Sequence, residues 1–419
     1  MAKNQPVEVV VAGAGLVGLT MGIALAEAGL PVAVVDAESP DRMTDEAYDG
    51  RSSAIAFGSQ QALASLGIWK HLAGAAQPIL HIRVSDGDGA GGVSRLFLHY
   101  DHRLLRDRRG PPPPLGFIVE NLEIRRALLA RAKELPSLRH EAPARIGGME
   151  RDGAAVTARL ADGRSIAGKL LVAADGRNSP LRTEARIGLT QWSYPQTGIV
   201  CTVNHDLPHA GVAHEHFLPA GPFAMLPMVP AGKQQRSSIV WTERNEISAA
   251  MLALDDDRFG LEMERRFGPS LGRLRAASRR FGYPLSLSHA DRYIDHRLAL
   301  VGDAAHAIHP IAGQGLNLGL RDVAALAECI VDAWRLGLDI GNAIALERYE
   351  RWRRFDTMAL IAVTDSLNRL FSNDLAPVRL ARDLGLAAVN RIAPLKRFFM
   401  QHAMGVVGDL PRLVRGERL

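Results

Sequence analysis

Val7 to Val11 is an apolar, valine-rich run broken only by Glu8. A glycine-rich hexapeptide follows, and then Leu19 to Ala28, small and apolar on nearly every side. A short apolar run bounded by glycine reads as a buried strand, and ten small apolar residues stopped by Gly29 read as a buried helix. A second strand, Pro31 to Val35, completes a βαβ unit and delivers Asp36. Ala37 to Gly50 is rich in acids and turn formers, which predicts a surface loop. Ser59 to Leu72 predicts a helix, and Ile79 to Ser85 with Val93 to Leu98 predicts a hairpin across the glycine-rich stretch 87 to 92. Gly110 to Pro114 is a stiff extended connector. Apolar spacing at three and four predicts a helix from Asn121 to Leu135. Strands follow at Ala155 to Leu160 and Ser165 to Ala173, the second ending at Asp175-Gly176.

From Ile187 to Arg292 the pattern changes to alternating strands and turns, with strands at Gly198 to Val203, Gly211 to Leu218, Phe223 to Val229 and Gln235 to Trp241. Leu298 to Val301 is another short buried strand, Gly315 to Trp334 a helix, and Asn342 to Met404 helical with breaks near Asn373 and Pro394. The expected fold class is α/β: a Rossmann-like nucleotide-binding domain made of residues 1–75, 115–186 and 293–340, interrupted by a β-sheet domain of residues 76–114 and 187–292. A C-terminal helical region, 341–419, closes the chain. The 419 residues, 47% of them hydrophobic, suffice for two interleaved cores.

No apolar run reaches the length of about 18 residues that a membrane span needs, and Met1 to Pro6 lacks the apolar stretch of a signal peptide, so a cytoplasmic location is expected. Cys201 and Cys329 are too few and too far apart for a disulfide framework, a thiolate metal site or a redox-active pair. The net charge of +5 is modest, but residues 376–419 hold eight Lys or Arg against three acids. Interleaved with Leu395, Phe398 and Phe399, these charges suit either a basic amphipathic surface for anionic lipid or a partner protein, or a solvated helix pair packed on the body. No nucleic-acid motif is present.

The chemistry lies in three glycine-bearing segments. In Gly13-Ala14-Gly15-Leu16-Val17-Gly18 the glycines permit a tight turn, close approach of a pyrophosphate and close helix packing, with the phosphates on the helix N-terminus. Asp36, about 20 positions on, is placed for a ribose hydroxyl pair. Asp175-Gly176 marks the return to the nucleotide domain. Gly302-Asp303 stands at a strand's carboxyl end, where open α/β sheets bind ligands, and runs on to Gly313-Gln314-Gly315-Leu316-Asn317. Plain structural roles fit some of the same residues: Asp303 as a turn cap, Asn121 as a helix cap, Arg51 as a loop arginine. His205, His209, His214 and His216 suggest metal at a glance, but supporting acids or cysteines are missing and no metal site is expected.

Across its whole length the chain resembles the flavin-dependent aromatic monooxygenases, and most closely the ubiquinone-biosynthesis hydroxylases of the UbiH, UbiF and VisC type. The resemblance is carried by His309-Pro310-Ile311-Ala312-Gly313-Gln314-Gly315-Leu316-Asn317-Leu318-Gly319-Leu320-Arg321-Asp322, by Asp49-Gly50-Arg51 with Ser53-Ala54, by Phe217 to Pro222, and by Trp241-Thr242-Glu243. It implies the fold of p-hydroxybenzoate hydroxylase and FAD as cofactor. Asp303 would contact ribityl or ribose hydroxyls, Arg51 and Asn121 would lie along the ribityl and pyrophosphate, and Asp175 would serve both FAD and the nicotinamide donor. The Gly315-Leu316-Asn317 turn would put backbone N–H groups at the pyrimidine edge, and Pro310 would lie near the flavin face.

No second G-x-G-x-x-G follows a strand, so NAD(P)H would visit transiently as electron donor. The resemblance further implies that O2 is used through a C4a-hydroperoxyflavin to hydroxylate a polyprenylated phenol or quinol on the way to ubiquinone. The substrate pocket is expected among Phe217, Leu218, Phe223, Met225, Leu226 and Pro227, of which alternation lets only half point inward. A basic apolar C-terminus would suit peripheral attachment to the inner membrane or to a biosynthetic complex. Another hydroxylase or reductase on this fold, and a flavin-binding scaffold without turnover, remain alternatives.

Overall fold

Val9–Ala12, Val32–Val35 and Leu170–Ala173 are buried along their whole length, which is why they lie side by side and parallel, covered on both faces. The computed structural model describes residues 6–47, 49–87, 93–105, 110–308, 313–371, 385 and 389–419. Val9 pairs with Val32 on one side and Leu170 on the other. The sheet is completed by Leu138–Glu141 beside Val32–Val35, and by Leu298–Leu300 with the short antiparallel Ile294–Asp295 at the opposite edge. Helices Leu16–Glu27, Asn121–Lys133 and Gln314–Arg335 pack against this sheet and share one apolar core with it.

A second, nine-stranded sheet stands beside the first. Its order is 306–307, 281–290, 189–205, 234–244, 221–231, 212–218, 81–87, 93–101, with 274–276 pairing on the side of 189–205. The hairpin 81–101 enters this sheet through a parallel pairing of Val212–Phe217 with His81–Asp86. Thus two segments far apart in sequence build one wall. Among the described residues there are also two three-stranded sheets, one from 146–151, 156–160 and 165–168, the other from 52–56, 116–120 and 77–79.

Several expected elements differ in detail. The expected strand Ser165 to Ala173 is two strands in different sheets, because Lys169 donates its N–H to Glu8 and turns the chain from one to the other. The helix expected to run to Leu72 stops at Ser65, since Gly67 turns into the left-handed region and two short 3-10 turns follow. The strand-and-turn region 187–292 also contains helices Asn245–Ala253 and Asp256–Phe267. The second begins at Asp255, whose side chain accepts from the Arg258 N–H, and buries Phe259, Met263 and Phe267 at intervals of four. It covers the far face of the nine-stranded sheet, making a second core with Ile199, Cys201, Phe223, Met225, Ile239 and Trp241. The expected C-terminal helices appear as Ala343–Phe371 and Ala393–Ala403. The break expected near Asn373 lies outside the described residues.

Candidate active site

The first helix begins at Leu16 with Gly15 as its N-cap and no side chain capping it, so its first N–H groups face outward from the sheet. A Cβ at Gly13 would stand 2.4 Å from the Ala174 carbonyl oxygen, and one at Gly18 would stand 2.0 Å from that of Gly13. Those two glycines are demanded by packing. Gly15 differs, because a Cβ there meets nothing within 4 Å and Gly15, Leu16 and Val17 line a large cavity. The helix Gln314–Arg335 repeats the arrangement. Gly313 is its N-cap in the left-handed region, no side chain caps it, a Cβ at Gly315 meets nothing within 4 Å, and Gly313 to Asn317 line the same cavity. Two helix N-termini therefore open into one space, each with room where its glycine lacks a side chain, as binding a dianionic phosphate pair and an anionic ring edge requires.

Between them lies Asp303, exposed at the end of strand Leu298–Leu300 and lining the cavity. Val17 packs against both Gly302 and Gly319, so the turn and the two helices meet at one residue. Arg51 and Asn121 also line the cavity and are joined through Asp49. Asp49 accepts from the Arg51 Nε at 2.9 Å, the Asn121 Nδ2 at 3.1 Å and an Arg125 guanidinium nitrogen at 2.5 Å. Ser53 donates to the Asn121 Oδ1 at 2.6 Å. Burial by itself would raise the Asp49 pKa, but Arg51, Asn121 and Arg125 hold it well below the ordinary carboxylate value. The guanidinium of Arg51 lies over the Tyr283 ring, 5.1 Å from its centroid.

Asn317 spends its side chain on the scaffold: its Oδ1 accepts from the Ala56 N–H at 2.8 Å and its Nδ2 donates to the carbonyls of Ala54 and Gly313. Asp322, five residues further along the helix, is wholly buried. It accepts from the Gly302 N–H at 3.0 Å, pairs with the His306 Nε2 at 2.6 Å and takes the Arg353 Nε at 2.9 Å. Asp36 bonds the Ala14 N–H at 2.5 Å and the Glu38 N–H at 2.8 Å, and so braces the glycine-rich turn from outside the cavity lining. Asp175 is likewise behind the lining. It accepts from the Leu181 N–H at 3.3 Å, and burial, its leading influence, raises its pKa, while its neighbours Ala174, Gly176 and Arg177 face the cavity. Pro310 lies outside the described residues.

The cavity measures about 1200 Å³ and continues from these helix ends onto one face of the nine-stranded sheet. Of the expected pocket residues, Phe217 and Leu226 line it. Leu218, Phe223 and Met225 instead belong to the second core, and Pro227 does not reach the lining, because strand alternation turns them to the far face. Pro222, Ala224, Ile82, Val84, Leu98 and Tyr100 supply the rest of the wall, and Phe399 and Ala403 of the C-terminal helix close one side. The hairpin's share was missed because only the parallel pairing, invisible in local sequence, brings it there. Its alternation of Ile82 and Val84 was the available signal.

The four expected non-ligand histidines are taken up by packing. His214 and His216 stand edge-on to Phe267, and burial pushes their pKa values down to about 3 and about 4. His205 pairs with Ser237 and His209 with the Met228 carbonyl. Among the described residues the one group of ligating side chains close enough to share an ion is His81, Asp101 and His102, where Asp101 is already engaged by Arg103.

A long cavity into which two uncapped helix N-termini open has the shape and polarity to take a flavin dinucleotide. The chain belongs to the FAD-binding domain family, whose model matches residues 6–357. It is 51% identical over 418 residues to ubiquinone hydroxylase UbiL of Rhodospirillum rubrum, covering 99% of this chain and 94% of that protein. It is 32% identical over 405 residues to 3-demethoxyubiquinol 3-hydroxylase of Escherichia coli, covering 96% of this chain and 100% of the other. The fold is that of p-nitrophenol 4-monooxygenase PnpA from Pseudomonas putida, with a TM-score of 0.80 at 20% identity over 97% of this chain and all of that one. This protein is an FAD-dependent monooxygenase.

Gly15→Val is expected to fold, since its side chain enters open space, yet to lower FAD affinity at least about tenfold by filling the cradle. Titrating the apoprotein with FAD and following flavin fluorescence checks this, and unchanged affinity would refute it. Asp49→Asn removes one partner of a buried ionic cluster, with an expected cost of about 3–5 kcal/mol. Because the folded pKa of Asp49 lies below the unfolded one, its stabilisation is fully present above about pH 4 and is lost as pH falls through the folded value. Thermal midpoints of wild type and variant should therefore differ most near neutrality and converge in acid.

Proposed function

We propose that this enzyme hydroxylates the aromatic ring of a polyprenylated phenol or quinol intermediate of ubiquinone biosynthesis, with NAD(P)H as a transient electron donor and O2 as oxygen source. The observation that carries this reading is the continuous cavity, polar and amide-lined at one end and apolar at the other. The relatives named as ubiquinone-pathway hydroxylases support the same substrate class. When bound, FAD supplies hydride acceptance and oxygen activation.

The chain's own residues supply grip, orientation and dryness. Gly15, Leu16 and Val17 hold the pyrophosphate on a helix N-terminus that Gly13 and Gly18 allow to pack closely, with Asp36 turned to a ribose through its remaining lone pairs. Arg51, Asn121 and Asp303 hold the linker between phosphate and ring, and Asp175 and Gly302 shape the turns beside it. The N–H groups of Gly313, Gly315, Leu316 and Asn317 face the ring edge that turns anionic on reduction, much as an oxyanion hole faces developing charge. Phe217, Pro222, Ala224 and Leu226 exclude water from the substrate ring. An apolar arm along Ile79, Ile82, Leu115 and Phe399 receives the tail.

The delivery of such a substrate concerns the helix Ala393–Ala403. Ile392, Phe398 and Phe399 are 50, 50 and 40% exposed, and Lys396 and Arg397 share the segment. Among the described residues no helix is long and apolar enough to cross a membrane. The proposal is that this helix rests on an anionic leaflet beside the cavity. Further along, Arg412 is committed to Glu328 and Asp332 and plays no part.

A strain lacking the gene should lose ubiquinone and accumulate a prenylated phenol short of one ring hydroxyl, read by mass spectrometry of its quinone pool. An unaltered pool would overturn the assignment. In vesicle flotation, the double variant Lys396→Glu, Arg397→Glu should lose about tenfold or more of its binding to phosphatidylglycerol vesicles, at about 1 kcal/mol per charge. Equal binding by wild type and variant would remove the membrane role.

A further inference from the structure

The long helix Ala343–Phe371 is turned inside out along its second half. Among the described residues from 355 to 370, those that stand exposed are Phe355, Met358, Ala359, Ala362, Val363 and Leu370, with Ser366 between the last two, and none carries a charge. Spacing at three and four sets them on one face. At 1.5 Å per residue that band is about 22 Å long. Phe355, Met358 and Val363 are 81, 53 and 54% exposed, whereas Arg353, Thr357 and Thr364 are buried on the opposite face. The two acids of the stretch are spent elsewhere, Asp356 on Arg321 and Arg353, and Asp365 on the Tyr194 hydroxyl. A helix on the surface of a globular protein ordinarily has the reverse arrangement, and an exposed apolar band of this length marks a surface that meets something apolar.

What it meets is indicated by where the band ends. Leu370 lines the cavity, as does Phe399 of the helix Ala393–Ala403, and both are also exposed, so the cavity opens between the two helices. Beyond that mouth Ile392 and Phe398 continue the exposed apolar surface. The cavity's volume of about 1200 Å³ is little more than the roughly 1,000 Å³ at the upper end for one drug-sized ligand. A flavin dinucleotide is larger than such a ligand, so cofactor and substrate ring fill the space, and a long isoprenoid tail has to leave past Phe399. It emerges between apolar side chains on both sides. A second copy of the chain seated on the band would sit across this exit, whereas a bilayer receives the tail.

We propose that the face from Phe355 to Leu370 is a lipid-inserting surface. Its side chains enter the boundary between headgroups and acyl chains, the cavity mouth faces the hydrocarbon, and the substrate's ring enters from there while its tail stays dissolved in lipid. This rests on the polyprenylated reading of the substrate. The attraction of Lys396 and Arg397 to anionic headgroups is a separate contribution, because salt screens charges but leaves the burial of Phe355, Met358 and Val363 in place. Arg351, exposed one turn before Phe355, lays its aliphatic stem along the boundary and keeps its charge among the headgroups.

The test uses FAD-loaded enzyme and mixed phosphatidylcholine and phosphatidylglycerol vesicles, floated at about 0.1 M and about 1 M salt, between which the Debye length falls from about 10 Å to about 3 Å. Wild type should keep a salt-resistant share of its binding. The triple variant Phe355→Ser, Met358→Ser, Val363→Ser should lose that share at least about tenfold. Its kcat/KM for a long-tailed phenol embedded in the vesicles should fall by a similar factor, while turnover of a short-tailed soluble phenol stays within about twofold, which also shows that the variant folds. As a gain of signal, Phe355→Trp should be quenched beyond wild type by lipids with brominated acyl chains. Wild-type binding that vanishes at high salt, a triple variant that floats like wild type, or no added quenching overturns the inference. So does a wild type that is dimeric and a triple variant that is monomeric with flotation unchanged, since a second copy then covers the face. A wild type that hydroxylates neither phenol overturns the substrate reading instead, and flotation and quenching still judge the surface.

Discussion

A single buried carboxylate, that of Asp322, ties together the pieces that must agree for the cofactor site to exist. Its side chain is fully buried, and three structures end on it: the turn at Gly302, the strand end at His306 and the long helix Ala343–Phe371 through Arg353. Burial opposes its ionisation, yet His306 and Arg353 keep its pKa below the ordinary value. Such a cluster gains little net stability over an apolar equivalent, but it tolerates no half-made version, since one missing partner strands a charge in the interior. Asp322 sits on the helix whose N-terminus opens into the cavity, so the same contact that fixes Gly302 also fixes where that N-terminus points. Asp49 does a comparable job on the other side, linking the loop of Arg51 to the helix of Asn121 and Arg125.

The parts of this arrangement visible in sequence are those whose chemistry is local. Gly13 to Gly18 announces itself because strand, turn and helix follow one another, and the run from Gly313 to Asn317 is equally self-contained. Asp49 and Asp322 are visible only as letters of a family pattern, because, Arg51 apart, their partners lie on other elements, 16 to 76 residues away. The substrate wall shows the same divide. Alternation along Phe223 to Met228 rightly separates two faces, and the covering helix Asp256–Phe267 decides which face is core. That helix carried its own signal, an Asp cap followed by Phe259, Met263 and Phe267, in a stretch otherwise dominated by strands.

The nine-stranded sheet works as a partition. Its far face is filled by aromatic and aliphatic side chains, with the Trp241 and Phe259 rings tilted against each other at 5.6 Å between centroids and Arg266 over the Trp241 ring. A face packed so densely cannot yield to accommodate a ligand, which leaves adjustment to the cavity side and to the C-terminal helix. Shape on that side is set by small and branched residues, so the position of a substrate ring follows from the wall more than from any one polar contact.

The order in which the ribosome delivers these parts has its own consequence. The glycine-rich turn is made long before the second helix end, which begins only at Gln314. At about 5–20 residues per second, the roughly three hundred intervening residues take about 15–60 s to synthesise. For that interval the nascent first half has its parallel sheet short of the strand Leu298–Leu300 and its phosphate cradle without an opposite jaw, so flavin capture belongs to the closing stage of biogenesis.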